Sequence, residues 1–332
     1  MRTVYLIGNG FDVNLGLPTK YIDFYNHYLG LDRTSDTANV SKLKDHLQTS
    51  LSSADKYWSD LEEAMGNYTS FLSAYDEVEE VFDNINDQMQ LYVETIEKSE
   101  LPKGIKPELL KKNLSTPENF LTPAEQEIIK AVYNKVTNDT HHISIVNFNY
   151  TTTIEKILGF SSVPIDLGKA SYNSGYLAKL DNIYHIHGGV ENPILGINDI
   201  SQIANVTLRE DIDVQKYLIK PKINSTLGHL IDRFAKERIE NAHLICIYGL
   251  SLGNTDELWW KTVGRSLVNG ATVILFIFDK DNNNLVPRKI GKYKRSWKMK
   301  FCEAAKIQEN QRATLLNRII VAPNTPIFDI NK

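Results

Sequence analysis

The chain has 332 residues, a formal net charge of -4, 42% hydrophobic residues and 23% charged ones. That balance suits a folded protein with one large core or two smaller ones, and it excludes a disordered chain or a broad electrostatic binder of nucleic acid. Two cysteines, Cys246 and Cys302, supply no disulfide framework and suit a reducing cytoplasm. An apolar strand begins directly after Met1-Arg2, where a signal pattern would stand, and no apolar run is long enough to span a bilayer. A cytoplasmic location without a membrane partner is the expectation.

Residues 4–7 read as a first buried strand, which enters the turn Gly8-Asn9-Gly10-Phe11-Asp12, followed by Leu15-Gly16-Leu17-Pro18. Gly8 and Gly10 permit close backbone approach, so bare N–H groups there are expected to face a pyrophosphate. A dehydrogenase fingerprint would have a third glycine where Val13 stands, and a second strand ending in an acid about twenty residues on; neither is present. A carboxylate at Asp12 also speaks against a simple anion cradle.

Between about 40 and 135 no comparable strand appears. Leu43, Leu47, Leu51, Ala54, Trp58, Leu61 and Met65 share one helical face, and Val78, Phe82, Ile85, Met89, Tyr92 and Ile96 follow at heptad spacing beside a run of acids. Residues 40–135 are expected to form a helical insertion in a nucleotide-binding α/β domain made of 1–39 and 136–332. Two readings of the heptad face stand: packing beside the sheet, or an oligomerisation arm through 78–96.

Further strands are expected at 143–148, 243–248, 272–278 and 318–322, with a helical pattern over 256–267. Strands alternating with helices predict a doubly wound, mostly parallel, Rossmann-like sheet with ligands at the carboxyl ends of the strands. Three polar clusters sit at such ends. Asn147 and Asn149 follow one strand and by alternation share a side, although an asparagine there also serves to bond the backbone of a turn. His185 and His187 share a face ahead of Gly188-Gly189; no further ligands complete a metal site, so none is expected. Gly249, Ser251 and Asp256 belong to a glycine turn that opens a helix. Near the end, Arg288, Lys289, Lys292, Lys294, Arg295, Lys298, Lys300 and Lys306 interleave with Tyr293, Trp297 and Phe301. This stretch at 288–306 is either a solvated helix face or a contact for nucleic acid or an acidic partner.

Taken together, LIGNGFD…GLPTKYIDF, NFNYTTTIE, HIHGGV…LGIND and IYGLSLGNTDELWW resemble the AbiH family of bacterial abortive infection against phage, and Trp58 to Glu62 fits that family's W…E element. The same blocks resemble, more distantly, sirtuin-like NAD-consuming domains. That second resemblance implies NAD as substrate, catalytic roles for Asn149 and His187, and cofactor contacts from Gly8, Asn9, Gly10, Phe11, Asp12, Pro18, Gly188, Gly249, Ser251 and Asp256. It also implies an aspartate where Thr151 stands and a serine where Asp12 stands. The function implied is cleavage of the nicotinamide–ribose bond. A nucleotide sensor without chemistry and a nucleic-acid-acting defence protein are the alternatives.

Overall fold

The computed structural model describes residues 1–52, 61–136, 140–159, 162–169, 177–226, 228, 230–279 and 286–331. Seven strands form one sheet: β1 (Arg2–Ile7), β2 (Thr140–Asn147), β3 (Ile165–Lys169), β4 (Leu177–His185), then, past a two-stranded ribbon of β5 (Gly188–Gly189) and β6 (Asn192–Pro193), β7 (Leu244–Tyr248), β8 (Thr272–Ile277) and β9 (Ile319–Pro323). The order is β3-β4-β2-β1-β7-β8-β9, parallel throughout except for the edge strand β3. From β1 the chain first builds outward through β2 and β4, then returns to the other side of β1 with β7. The carboxyl ends of β1 and β7 therefore flank the point where the winding reverses, where open α/β sheets bind ligands.

Both sheet faces are covered, which is why its strands read as continuous apolar runs. Alternation sends Tyr5, Ile7, Ile143, Ile145, Leu244 and Cys246 to one face, under helices Pro107–Ser115, Pro123–Tyr133 and Thr153–Leu158. Val4, Leu6, Val146, Ile245, Ile247 and Val273 go to the other, under Ile231–Glu240, Glu257–Val268 and Pro287–Ala304. The mixed α/β, Rossmann-like expectation is met. No helix among the described residues is long and apolar enough to cross a membrane.

A third apolar cluster lies beyond the carboxyl ends of the central strands. It joins helices Tyr21–Leu29, Ala38–Ser52, Leu61–Tyr68 and Tyr75–Lys98 to the segment from Leu195 to Ile219. The clusters run across the expected borders at 40 and 135, since Phe24 and Tyr28 pack with the helices, whereas Leu110, Leu114 and Ile129 pack on the sheet. Leu43, Leu47, Leu61 and Met65 are buried here as their shared face requires; Ala54, Trp58 and the side chain of Leu51 lie outside what is described.

The oligomerisation reading of 78–96 is corrected by this packing. Val78, Phe82, Ile85, Met89 and Ile96 are all buried within the chain, Phe82 at 3% exposure, so the heptad face is already occupied. The 288–306 stretch is likewise drawn inward. Phe301 is fully buried, Tyr293 bonds Asp279 at 2.9 Å, Lys294 pairs with Glu125 at 2.7 Å and Lys298 bonds the Leu316 carbonyl. Arg288, Lys289, Lys292, Arg295 and Lys300 are exposed, which leaves both readings of that face open. Phe82→Glu should therefore unfold the protein rather than release a monomer, costing at least the ~3–5 kcal/mol of a buried Phe→Ala change. Urea denaturation with sedimentation checks it; a stable, folded variant of reduced mass would restore the oligomer arm.

Candidate functional site

A cavity of about 140 Å³ lies at the β1–β7 reversal, lined by Asn9, Asp12, Thr19, Glu62, Phe148, Asn149, Thr151, His187, Gly249, Ser251 and Asp256 among others. Met89, Tyr92, Val93 and Ile96 of helix Tyr75–Lys98 also line it. The site is thus built between the sheet and the third cluster. Its volume is close to that of a cavity accepting one six-membered ring, ~150 Å³.

The floor is a contact between two backbones. A Cβ on Gly10 would stand 2.4 Å from the Gly249 Cα, and one on Gly8 would meet the Leu250 side chain and the Gly249 carbonyl. Gly249 itself has φ +69°, where glycine avoids strain. This approach spends the amides that were expected to cradle a pyrophosphate: Gly8 N–H donates to the Tyr248 carbonyl and Gly10 N–H to the Gly249 carbonyl, both at 2.9 Å. The glycines are packing residues. Phe11 is buried in the sheet core against Phe328, 5.3 Å between ring centres. The Pro18 carbonyl accepts from the Tyr92 hydroxyl at 2.7 Å, and Gly188 lines a separate groove. Of the expected cofactor contacts, Asn9, Asp12, Gly249, Ser251 and Asp256 line the cavity; Gly8, Gly10, Phe11, Pro18 and Gly188 do not.

Asp12 sits on the first helical turn after β1 with 1% exposure. Its Oδ2 accepts a 2.6 Å hydrogen bond from the Thr151 hydroxyl, and its Oδ1 is buried without a hydrogen bond among the described residues. Burial pushes the carboxyl up to about 6, against the pull of the Thr151 and Thr153 hydroxyls. Asn149 is buried with its Oδ1 also lacking a hydrogen bond among the described residues. Asn147 closes the turn, its Oδ1 accepting from the Asn149 N–H at 3.0 Å, the structural role open to it in sequence.

His187 is buried, with Phe148 packed edge-on at 5.4 Å. Its Nε2 lies 3.1 Å from the Lys220 ammonium and 3.7 Å from Asp256 Oδ1, the latter beyond hydrogen-bond range. Lys220 in turn pairs with Glu62 at 2.5 Å, both nearly inaccessible to solvent. Burial, and then the Lys220 charge, hold His187 well below the ordinary histidine range, so it is neutral. The expected common face of His185 and His187 is not formed, because β4 ends at His185 and alternation stops there. His185 bonds Glu155 at 2.6 Å; burial opposes its charging, but Glu155 outweighs that and raises its pKa. No group of three or more His, Cys, Asp or Glu among the described residues is placed to hold a metal ion.

Sequence reasoning missed Lys220, for lysine's default place is solvent and nothing around Ile219-Lys220-Pro221 marks it as buried. Glu62 was visible only as the end of the W…E element.

Residues 4–278 match the family model described as bacteriophage abortive infection AbiH. The chain belongs to the AbiH family. Its role is accordingly one in abortive infection against phage. Among curated proteins, none matches the chain. The matched span of this AbiH chain takes in every residue of the cavity just described.

Gly10→Val forces β1 and β7 apart, and overpacking of this kind costs ~1–3 kcal/mol; the urea midpoint should fall, and an unchanged midpoint would contradict the contact. Asp12 has a folded pKa of about 6 against 3.8, so its ionisation weakens the fold as pH rises through 6. The difference of about 2 units is worth about 3 kcal/mol at most. Asp12→Asn should raise stability at pH 8 and have little effect below pH 4, where both states are protonated. Equal effects at both pH values would contradict a buried, destabilising carboxylate.

Proposed function

We propose that this AbiH protein cleaves the nicotinamide–ribose bond of NAD, depleting the infected cell of the dinucleotide. The observation that carries the reading is the pair of buried oxygens, Asp12 Oδ1 and Asn149 Oδ1, on residues lining one ring-sized cavity. Departing nicotinamide takes the electron pair of the broken C1′–N bond and leaves as a neutral ring, so no proton donor is needed. What the reaction does need is negative charge or dipole near the cationic ribose carbon, and a base for the attacking water. In this reading Asn149 directs its amide oxygen at the ribose, and ionised Asp12 takes the proton from the water that bonds to C1′. Products are ADP-ribose, nicotinamide and one proton.

Two features support Asp12 as the base over His187. The Nε2 lone pair of His187 faces an ammonium, whereas Asp12 has a free acceptor and a pKa suited to work near neutrality. The carboxylate that the sirtuin-like resemblance would place at 151 is supplied here from 12, with the hydroxyl at 151 bonded to it. With the Gly8 and Gly10 amides engaged, the diphosphate belongs nearer Ser251, which is exposed at the cavity's edge.

A second reading, a nucleotide sensor without chemistry, is favoured by cavity size alone, since about 140 Å³ accepts a ring and not a whole dinucleotide. Incubation of purified protein with NAD separates the two. Hydrolysis predicts nicotinamide release that rises with pH through about 6 as Asp12 ionises, then levels. Asp12→Asn and Asn149→Ala should each lower it by about 10²–10⁴ while the fold persists. NAD binding with no nicotinamide, in the purified protein and in phage-infected cells, would overturn hydrolysis and leave the sensor.

A further inference from the structure

Three ionisable side chains outside the Asp12–Asn149 pair form a buried line: Glu62 on helix Leu61–Tyr68, Lys220 at the start of helix Lys220–Thr226, and His187 just past β4. Their exposures are 2%, 2% and 6%. Three buried ionisable groups from three separate elements are expensive unless each satisfies the next. Here Lys220 Nζ reaches Glu62 Oε1 at 2.5 Å and His187 Nε2 at 3.1 Å. Glu62 and His187 both line the cavity, while Lys220 lies behind them.

We propose that Lys220 and Glu62 are positioning residues, which hold His187 as the neutral tautomer protonated at Nδ1 and keep it from acting as the base. The inference deepens the glycosidic reading and rests on it for its role in turnover, although the tautomer itself is independent of any substrate. An ammonium can only donate, so Nε2 must be the acceptor, and the neutral ring then carries its one hydrogen on Nδ1. The Nε2 side of the ring is thereby fixed against Lys220. Glu62 cancels the lysine charge, which would otherwise oppose a cation forming at the ribose carbon. The other charged groups facing this line are Asp256, at 3.7 Å from Nε2, and Asp232, whose carboxylate bonds Asn224 beside Lys220. Burial and the Lys220 charge both disfavour protonation of the ring, in keeping with this arrangement.

The test is nitrogen-15 NMR of histidine-labelled full-length protein, with the His187 signals assigned by their loss in His187→Gln. Wild-type protein should show one protonated nitrogen, Nδ1, unchanged between pH 5 and 8. In Lys220→Met the ring should begin to titrate within that window, and nicotinamide release should fall roughly tenfold to a hundredfold through lost orientation. Lys220→Arg should restore the non-titrating signal in part. Because Lys220→Met alone removes the cation that Glu62 pairs with, the double variant Glu62→Gln with Lys220→Met removes both charges together. A wild-type His187 that is protonated at Nε2, or that titrates in the ordinary range, overturns the proposal without any variant. So does an unchanged His187 signal in both Lys220→Met and the double variant. If the signals behave as stated and wild-type protein releases no nicotinamide from NAD, the tautomer assignment stands and the glycosidic reading falls.

Discussion

The contact between Gly10 and Gly249 sets the geometry of everything above it. Two strand ends can touch backbone to backbone only where neither carries a Cβ, and at the β1–β7 reversal both lack one. The contact consumes the Gly8 and Gly10 amides, so the turn is a structural clasp rather than an anion cradle. It also fixes the start of the short helix Gly10–Asn14, which carries Asp12 into the cavity and onto Thr151. A carboxylate buried there opposes folding at neutral pH, and such a cost is characteristic of a group retained for chemistry.

Electrostatics then divides the site into two parts. On one side are oxygens without hydrogen-bond partners among the described residues, Asp12 Oδ1 and Asn149 Oδ1. On the other is a line of buried groups, Glu62–Lys220–His187, in which the carboxylate and the ammonium are ion-paired. A reaction that builds positive charge on carbon and expels a neutral ring fits this division, because it wants acceptors nearby and no acid. Helix Tyr75–Lys98 walls the cavity and is tied to the sheet side through Tyr92 on Pro18 and Glu97 on Thr152 and Lys156.

The sheet was largely legible because its strands are buried on both faces and so appear as apolar runs. β4 was not: Leu177–His185 contains Lys179, Asp181 and Asn182 and lies beside the antiparallel edge, where burial is incomplete. The 78–96 heptads were legible as a helix but not in their partner, since the residues that cover them, Phe24, Tyr28, Leu208 and Leu218, lie far away in the chain. The strand-end rule marked Asn149, His187 and Ser251, which line one cavity. The amides of Gly8 and Gly10, expected to face a ligand, bond the backbone instead, because a glycine that admits a ligand and one that admits another backbone look identical in sequence. Lys220 was invisible for want of any local pattern, and the bond between Asp12 and Thr151 spans 139 residues.

The most direct test of the central claim is a crystal structure of the Asp12→Asn protein, slowed in turnover, grown with NAD. The account predicts the nicotinamide ring and ribose C1′ in the cavity beside Asn149, the diphosphate on the Ser251 side, and the Gly8–Tyr248 and Gly10–Gly249 hydrogen bonds intact. Diphosphate bound on the Gly8 and Gly10 amides with those bonds broken would contradict it, as would a dinucleotide whose nicotinamide ring lies away from Asn149.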